Sequence, residues 1–227
     1  MDGLIIVLAI GIVGAVLLFT YLFSLERTKK MKAYAASRGW DFTPDKDKGL
    51  SGRYPAFKCL RRGHSRWAYN IMRGSRDGRD VTAFDYHYVT GHGKNRQVHN
   101  HSALVLQSPL GLKPLYIRPE NVFDKVSDFF GMDDIDFESA EFSRKFFVKA
   151  PEKRWAYDVI HQQMMAFLME APSFHVQLDT AAVMAWRSRR FSEQDFDEAF
   201  ALIQGILERL PGYVKKKLAE TTALTGE

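Results

Sequence analysis

"VTAFDYHYVTGHGKNRQVHNHSALVLQ", residues 81–107, decides the fold class. Residues 81–89 and 98–107 are rich in aromatic and β-branched side chains that alternate with polar ones, the period of a half-buried strand. "TGHGKNR" supplies the turn between them. Upstream, residues 67–72 form a further strand signal, and Asp77-Gly78 before residue 81 is a strong hairpin turn because both positions tolerate positive φ. Downstream, residues 112–117 give a fourth. The pattern predicts an antiparallel β-meander.

Working outward, "PENVFDKVSDFFG" at residues 119–131 has the spacing of a short amphipathic helix stopped by Gly131, and "MDDIDFESAE" at 132–141 reads as an acidic linker. Beyond it, "FSRKFFVKA" is β-like, "PEKRWAYDVIHQQMMAFLMEA" is helical, and "FHVQLD" and "AVMAWRSR" are short strands. A last helix follows, capped by Ser192, with Phe196, Ala199, Phe200, Ile203, Leu207 and Leu210 as its apolar stripe and Pro211 as its stop. Met164, Met165 and Met169 fall at helical spacing beside Phe167 and Leu168 and read as core. The tail, residues 214–227, carries three lysines and then loses its pattern, so it is expected to be disordered after Leu218.

On the N-terminal side, "WDFTPDKDKGLSGRYP" at 40–55 reads as an irregular linker with aromatic contacts at Trp40, Phe42 and Tyr54. Before it, "LERTKKMKAYAASR" favours helix, with Met31, Tyr34 and Ala35 on one face and Gly39 as the stop. Residues 3–24 contain no charged side chain, and roughly 20 apolar residues at 1.5 Å each cross a hydrocarbon core of about 30 Å. The run lacks a positive segment before it and a small-residue cleavage site after it, so it reads as an anchor and not as a secretion signal. Arg27, Lys29, Lys30, Lys32 and Arg38 follow within about 15 residues, which by the positive-inside bias puts the N-terminus outside and the following domain in the cytoplasm.

The predicted fold class is α+β: a transmembrane helix, an antiparallel β-meander, and a second strand-helix-strand-strand-helix half. The expected divisions are an anchor at 1–24, a juxtamembrane basic helix at 25–40, a basic β half with a short helix at 41–131, an acidic α+β half at 132–213, and the tail at 214–227. Charge separates along the chain: residues 25–120 hold 19 basic against 8 acidic side chains, and residues 121–227 hold 13 against 18. A basic region beside an anionic leaflet gains on the order of 1 kcal/mol for each Lys or Arg that reaches the surface. The predicted membrane-surface residues are Lys29, Lys30, Lys32, Arg61, Arg62, Arg66 and Arg73, with Trp67 and Tyr69 interleaved; arginine forks suit phosphate head groups. Nucleic-acid binding is disfavoured, because recognisable RNA- or DNA-reading motifs are absent. The acidic half is left for a protein partner.

For chemistry the sequence offers little. The single cysteine, Cys59, excludes an internal disulfide and a zinc-thiolate set. "GHGK" at 91–94 lacks the spacing and the Ser or Thr of a phosphate loop and joins two strands, so it reads as a turn. His64 and Ser65 are neighbours on a strand and are expected to point apart. If Val89 pairs with Gln97, then Asp85, His87, His99 and His101 share one face, a donor set that suits zinc and a metal-dependent hydrolase as the alternative function. A slip of one residue would disperse it. No cofactor is expected otherwise.

Four stretches, "RRGHSRWAYNIMRG" (61–74), "VTAFDYHYVTG" (81–91), "DIDFESAEFSRKFFVKAPEKRWAYDVIHQQMM" (134–165) and "ILERLPGYV" (206–214), together resemble an uncharacterised bacterial family of single-span membrane proteins with a cytoplasmic α+β domain. The resemblance covers most of residues 33–214. It implies the architecture and assigns no reaction, cofactor or catalytic residue.

Overall fold

In the computed structural model, which describes residues 2–120 and 135–225, the apolar N-terminus is one unbroken helix, α1 (Asp2–Ser37). Gly39, at φ +67°, ends it as expected, and Trp40 turns back so that its amide donates to Ala35 O. The side chains from Ile10 to Leu25 stand exposed, Phe19 and Phe23 among them. From Met31 onward the helix changes character. Met31, Tyr34 and Ala35 are buried against the sheet.

The strands β1 (Asp41–Thr43), β2 (His64–Arg76), β3 (Arg79–Thr90), β4 (Gln97–Gln107), β5 (Leu115–Pro119), β6 (Phe146–Lys149), β7 (His175–Asp179) and β8 (Ala182–Arg187) form one antiparallel sheet, in the order β1-β2-β3-β4-β8-β7-β5-β6. The expected meander holds for β2, β3 and β4, joined by the Asp77-Gly78 turn with both residues at positive φ. The fourth predicted strand does not lie beside the third: β4 pairs with β8, and β5 sits between β7 and β6. The basic and acidic halves therefore complete a single sheet. Its edge strands β1 and β6 have three and four residues, too short to template pairing with another chain.

Alternation along the strands gives the sheet two apolar faces. Val81, Ala83, Leu104, Leu106, Val183 and Ala185 point to the helices, while Phe84, Tyr86, Ala103, Val105, Met184 and Trp186 point the other way. The first face is covered by α1, by α4 (Lys153–Val159) and α5 (Gln162–Glu170), by α6 (Glu193–Arg209) and by α7 (Gly212–Thr225). The second is covered by residues 50–60, where α2 (Leu50–Arg53) and a 3-10 turn at Lys58–Arg61 seat Leu50, Phe57, Cys59 and Leu60. Full burial of each such side chain contributes roughly 1.5–3 kcal/mol relative to exposure.

Several local expectations change. The linker at 40–55 contains β1 and α2; Trp40 packs edge-on to Tyr34 and Tyr54 against Phe57, while Phe42 packs on the main core. "FSRKFFVKA" begins as helix, α3 (Ala140–Lys145), because Ser139 caps it by accepting from the Phe142 amide; only Phe146–Lys149 is strand. The helix expected at 151–171 breaks at Ile160-His161, where His161 turns extended and its Nε2 meets Arg209 O at 2.9 Å, while Met164 on the second piece is buried. The tail is helical to Thr225, and Val214 and Leu218, one turn apart, are buried in the main core. The short helix expected at 119–131 lies outside the described residues. In α6 the Ser192 cap is a full capping box with Asp195, and the predicted stripe is buried.

Candidate functional site

The site is built where α1 meets the sheet. Arg27 lies one turn beyond the apolar run, and its guanidinium forks onto Asp85 of β3, Nε to Oδ2 at 2.9 Å and Nη2 to Oδ1 at 2.7 Å. Its Nη1 donates to Phe191 O at 2.6 Å. The Asp85 carboxylate is 0% exposed and also accepts from Ser102 Oγ and from Asn70 Nδ2. Thr28 donates its hydroxyl to Asn70 Oδ1 at 3.0 Å. A buried, bidentate, fully partnered pair of this kind fixes geometry, because moving either partner strands a charge in the interior.

Asp85 is thus a structural anion, and the metal reading fails for a second reason as well. Thr90 pairs with Gln97, one residue away from the pairing that would collect the histidines, so His87 faces Asn100, and His99 faces Tyr88. His87 points to the helix side, where it stacks on Trp67 at 3.8 Å and bonds Asn100. Burial pushes its imidazole below the usual range, with Lys46, Arg96 and Arg190 adding repulsion. His99 and His101 point to the other face, against Tyr88. Among the described residues no group of three or more His, Cys, Asp or Glu side chains could hold a metal ion.

His64 and Ser65 differ from expectation too. Ser65 has φ +50°, which suspends strand alternation, and its Oγ lies 3.2 Å from His64 Nδ1 while Gly91 O holds His64 Nε2. The "GHGK" stretch is a turn, with Gly91 at positive φ and no room for a Cβ against Asn95 O.

The predicted surface cations divide. Lys29, Lys30 and Lys32 are exposed on α1, just past the apolar run. Arg61, Arg62 and Arg66 cluster before and at the start of β2, where Arg66 donates to Arg61 O and Gly63 O, and Arg62 lies over the Tyr88 ring. Arg73 is elsewhere, near the far end of β2, within 3.7 Å of Asp47. Part of the charge division along the chain is cancelled inside the fold, where Asp197 of α6 accepts from Arg38 and Arg76; within the second half, Asp195 accepts from Arg187 and Arg189.

Beside Arg62 the fold forms a cavity of about 350 Å³, bounded by Cys59, Tyr88, His99, His101, Trp186 and Ser188. Arg62 and the two histidines stand apart in the sequence; the β3-β4 register brings them together at Tyr88, and β8, from the other half of the chain, adds Trp186 and, just past its end, Ser188 to the wall.

Among the described residues one N-terminal helix is long and apolar enough to cross a bilayer, as in a membrane protein, and it runs directly into an α+β domain. No protein-family model matches the sequence, and no curated protein matches it. Among solved structures the fold is similar to the crystal structure of the mycobacterial trehalose monomycolate transport factor A, TtfA, with a TM-score of 0.61 over 81% of this chain and 96% of that one, at 15% identity. The likeness is one of fold.

Proposed function

We propose that the chain is a single-span, membrane-tethered binding or scaffolding module, with its domain on the cytoplasmic side docking to anionic lipid or to a protein partner. The observation that carries the reading is the junction at Arg27. A flexible tether would only raise local concentration; a helix locked into the sheet by a buried ion pair also fixes which surface of the domain meets the bilayer. The solved protein of similar fold is named a transport factor, which favours an accessory role in transport at the membrane over a catalytic one. The charge excess of residues 25–120 favours an anionic neighbour.

Two measurements test the reading in the full chain. A reporter fused after Glu227 is expected on the cytoplasmic side of a chain that resists alkaline extraction; a reporter accessible only from outside contradicts it. Photocrosslinkers at Lys30, Lys94 and Tyr157, all exposed, are expected to give a discrete lipid or protein adduct in native membranes from at least one position. No adduct from any of the three overturns the binding role.

A further inference from the structure

The contacts of α1 fix which end of the sheet faces the bilayer. Thr28 bonds Asn70 of β2, and Trp40, just past the helix end, packs on Gly74 and donates to Ser75 O. The nine residues from Thr28 to Ser37 advance about 14 Å at 1.5 Å each. From Asn70, where β2 carries a bulge, to Gly74 the strand advances about 10 Å, one residue being taken up by the bulge. Helix and strand thus run the same way, so the start of β2 lies on the same side of Arg27 as the apolar run.

The antiparallel register carries this around the sheet. Val89 pairs with His64 and with Val98, and Arg187 pairs with Ser102. The end of β3, the start of β4, the end of β8 and the turn at residues 91–96 therefore lie at the end from which the membrane helix departs. Lys94 and Arg96 are exposed on that turn and make no ion pair among the described residues.

The 350 Å³ cavity opens at this same end, between the Arg62 turn, the first residues of β4 and the last of β8. Among the described residues its lining contains Arg62, His99 and His101 and no carboxylate, a donor set for an anion. His99 is fixed in place by a stack on Tyr88 at 4.5 Å and by Thr90 Oγ1 at 2.7 Å. Trp186 forms an apolar wall, as an aromatic ring does where a lipid headgroup meets its glycerol.

We propose that this cavity is a headgroup site for an anionic phospholipid of the leaflet from which α1 emerges, with Arg62 and His99 taking the phosphate and Lys94 and Arg96 drawing the lipid in. The site rests on the reading of α1 as a membrane span. Free phosphate shares the chemistry, and the test separates the two sources.

The full chain is reconstituted in nanodiscs of phosphatidylcholine with and without phosphatidylglycerol, and lipid retained on the released protein is counted by native mass spectrometry. Wild type is expected to keep phosphatidylglycerol over phosphatidylcholine. Arg62→Gln is expected to weaken that retention about tenfold, the loss of one charge-assisted contact. Ser188→Asp, which puts a carboxylate at the exposed rim without touching the core, is expected to act likewise, and Arg73→Gln, at the far end, to change nothing. Melting curves of the variants check their folding. Unchanged phosphatidylglycerol retention in both Arg62→Gln and Ser188→Asp overturns the site. So does equal retention of the two lipids, and so does inorganic phosphate displacing phosphatidylglycerol at equal concentration. Failure of the chain to remain in the disc at all would instead strike the membrane span itself.

Discussion

Residues 10–25 and residues 27–35 belong to one helix, yet they are chosen for different surroundings. In the outer stretch apolar side chains point in every direction and none is covered by the domain: Ile10, Leu17 and Phe19 are all more than 60% exposed. In the inner stretch one face is buried by Met31, Tyr34 and Ala35, and the opposite face carries Lys29, Lys30 and Lys32. The outer stretch has the composition that lipid as a solvent asks for, where length alone matters. The inner stretch has a protein interior on one side and needs specific partners, of which Arg27 is the decisive one. The change of rule comes within a few residues, and on the proposed function it marks the membrane boundary and couples it to the sheet through Arg27.

The comparison breaks most visibly at Arg27. Arg27→Leu leaves the Asp85 charge buried without its main partner, and denaturant unfolding in detergent is expected to register a loss of about 3–5 kcal/mol. Replacing both residues with apolar ones of similar volume is expected to recover most of that loss. In the outer stretch Leu17→Arg is expected to raise the cost of membrane insertion by about 2.5–3.5 kcal/mol and leave the melting of the domain unchanged. A domain that melts earlier in Leu17→Arg would show that the outer stretch packs on protein after all.

Smaller effects sharpen the picture of the docked end. At Gly74 an added Cβ would come within 2.1 Å of the Trp40 ring, so Gly74→Ala is expected to destabilise by about 1–3 kcal/mol through displacement of the indole. Ser192→Ala removes the cap of α6 and is expected to cost about 1 kcal/mol. Acid probes the same capping box. Burial would raise the Asp195 carboxyl, but Arg189, Ser192 and Arg187 outweigh it and hold the carboxyl at about 2. Its contribution is complete above the ordinary carboxylate range and is lost as pH falls from about 4 toward 2, a loss that Asp195→Asn would abolish. Lys30→Ala, which breaks only an exposed i,i+4 pair with Glu26, is expected to shift stability by less than about 0.5 kcal/mol.

Much of this architecture was legible from residue types alone. The span, the stop at Gly39, the Asp77-Gly78 hairpin and the Ser192 cap are local signals, each carried by a few adjacent residues. What escaped was non-local. Arg27 reads as one more cation beside the membrane until the fold brings Asp85 to it from 58 positions away. The histidine cluster dissolved on a single-residue difference in register, which a turn of six residues in place of seven suffices to produce. The pairing of β4 with β8 joins the two halves and closes the cavity at Arg62, and no periodicity announces it. Two helices had overlooked local signs: the Ser139 cap of α3, and the Val214 and Leu218 spacing of α7.

The measurement that bears most directly on the coupling is a spin-label distance across the boundary, between Val13→Cys on the outer stretch and Lys94→Cys at the sheet end, in a Cys59→Ala background reconstituted in nanodiscs. A rigid junction predicts one narrow distance distribution that broadens in Arg27→Leu. A broad distribution already present with Arg27 intact would mean that the domain swings freely on its anchor, and the fixed presentation of one sheet end to the bilayer would be wrong.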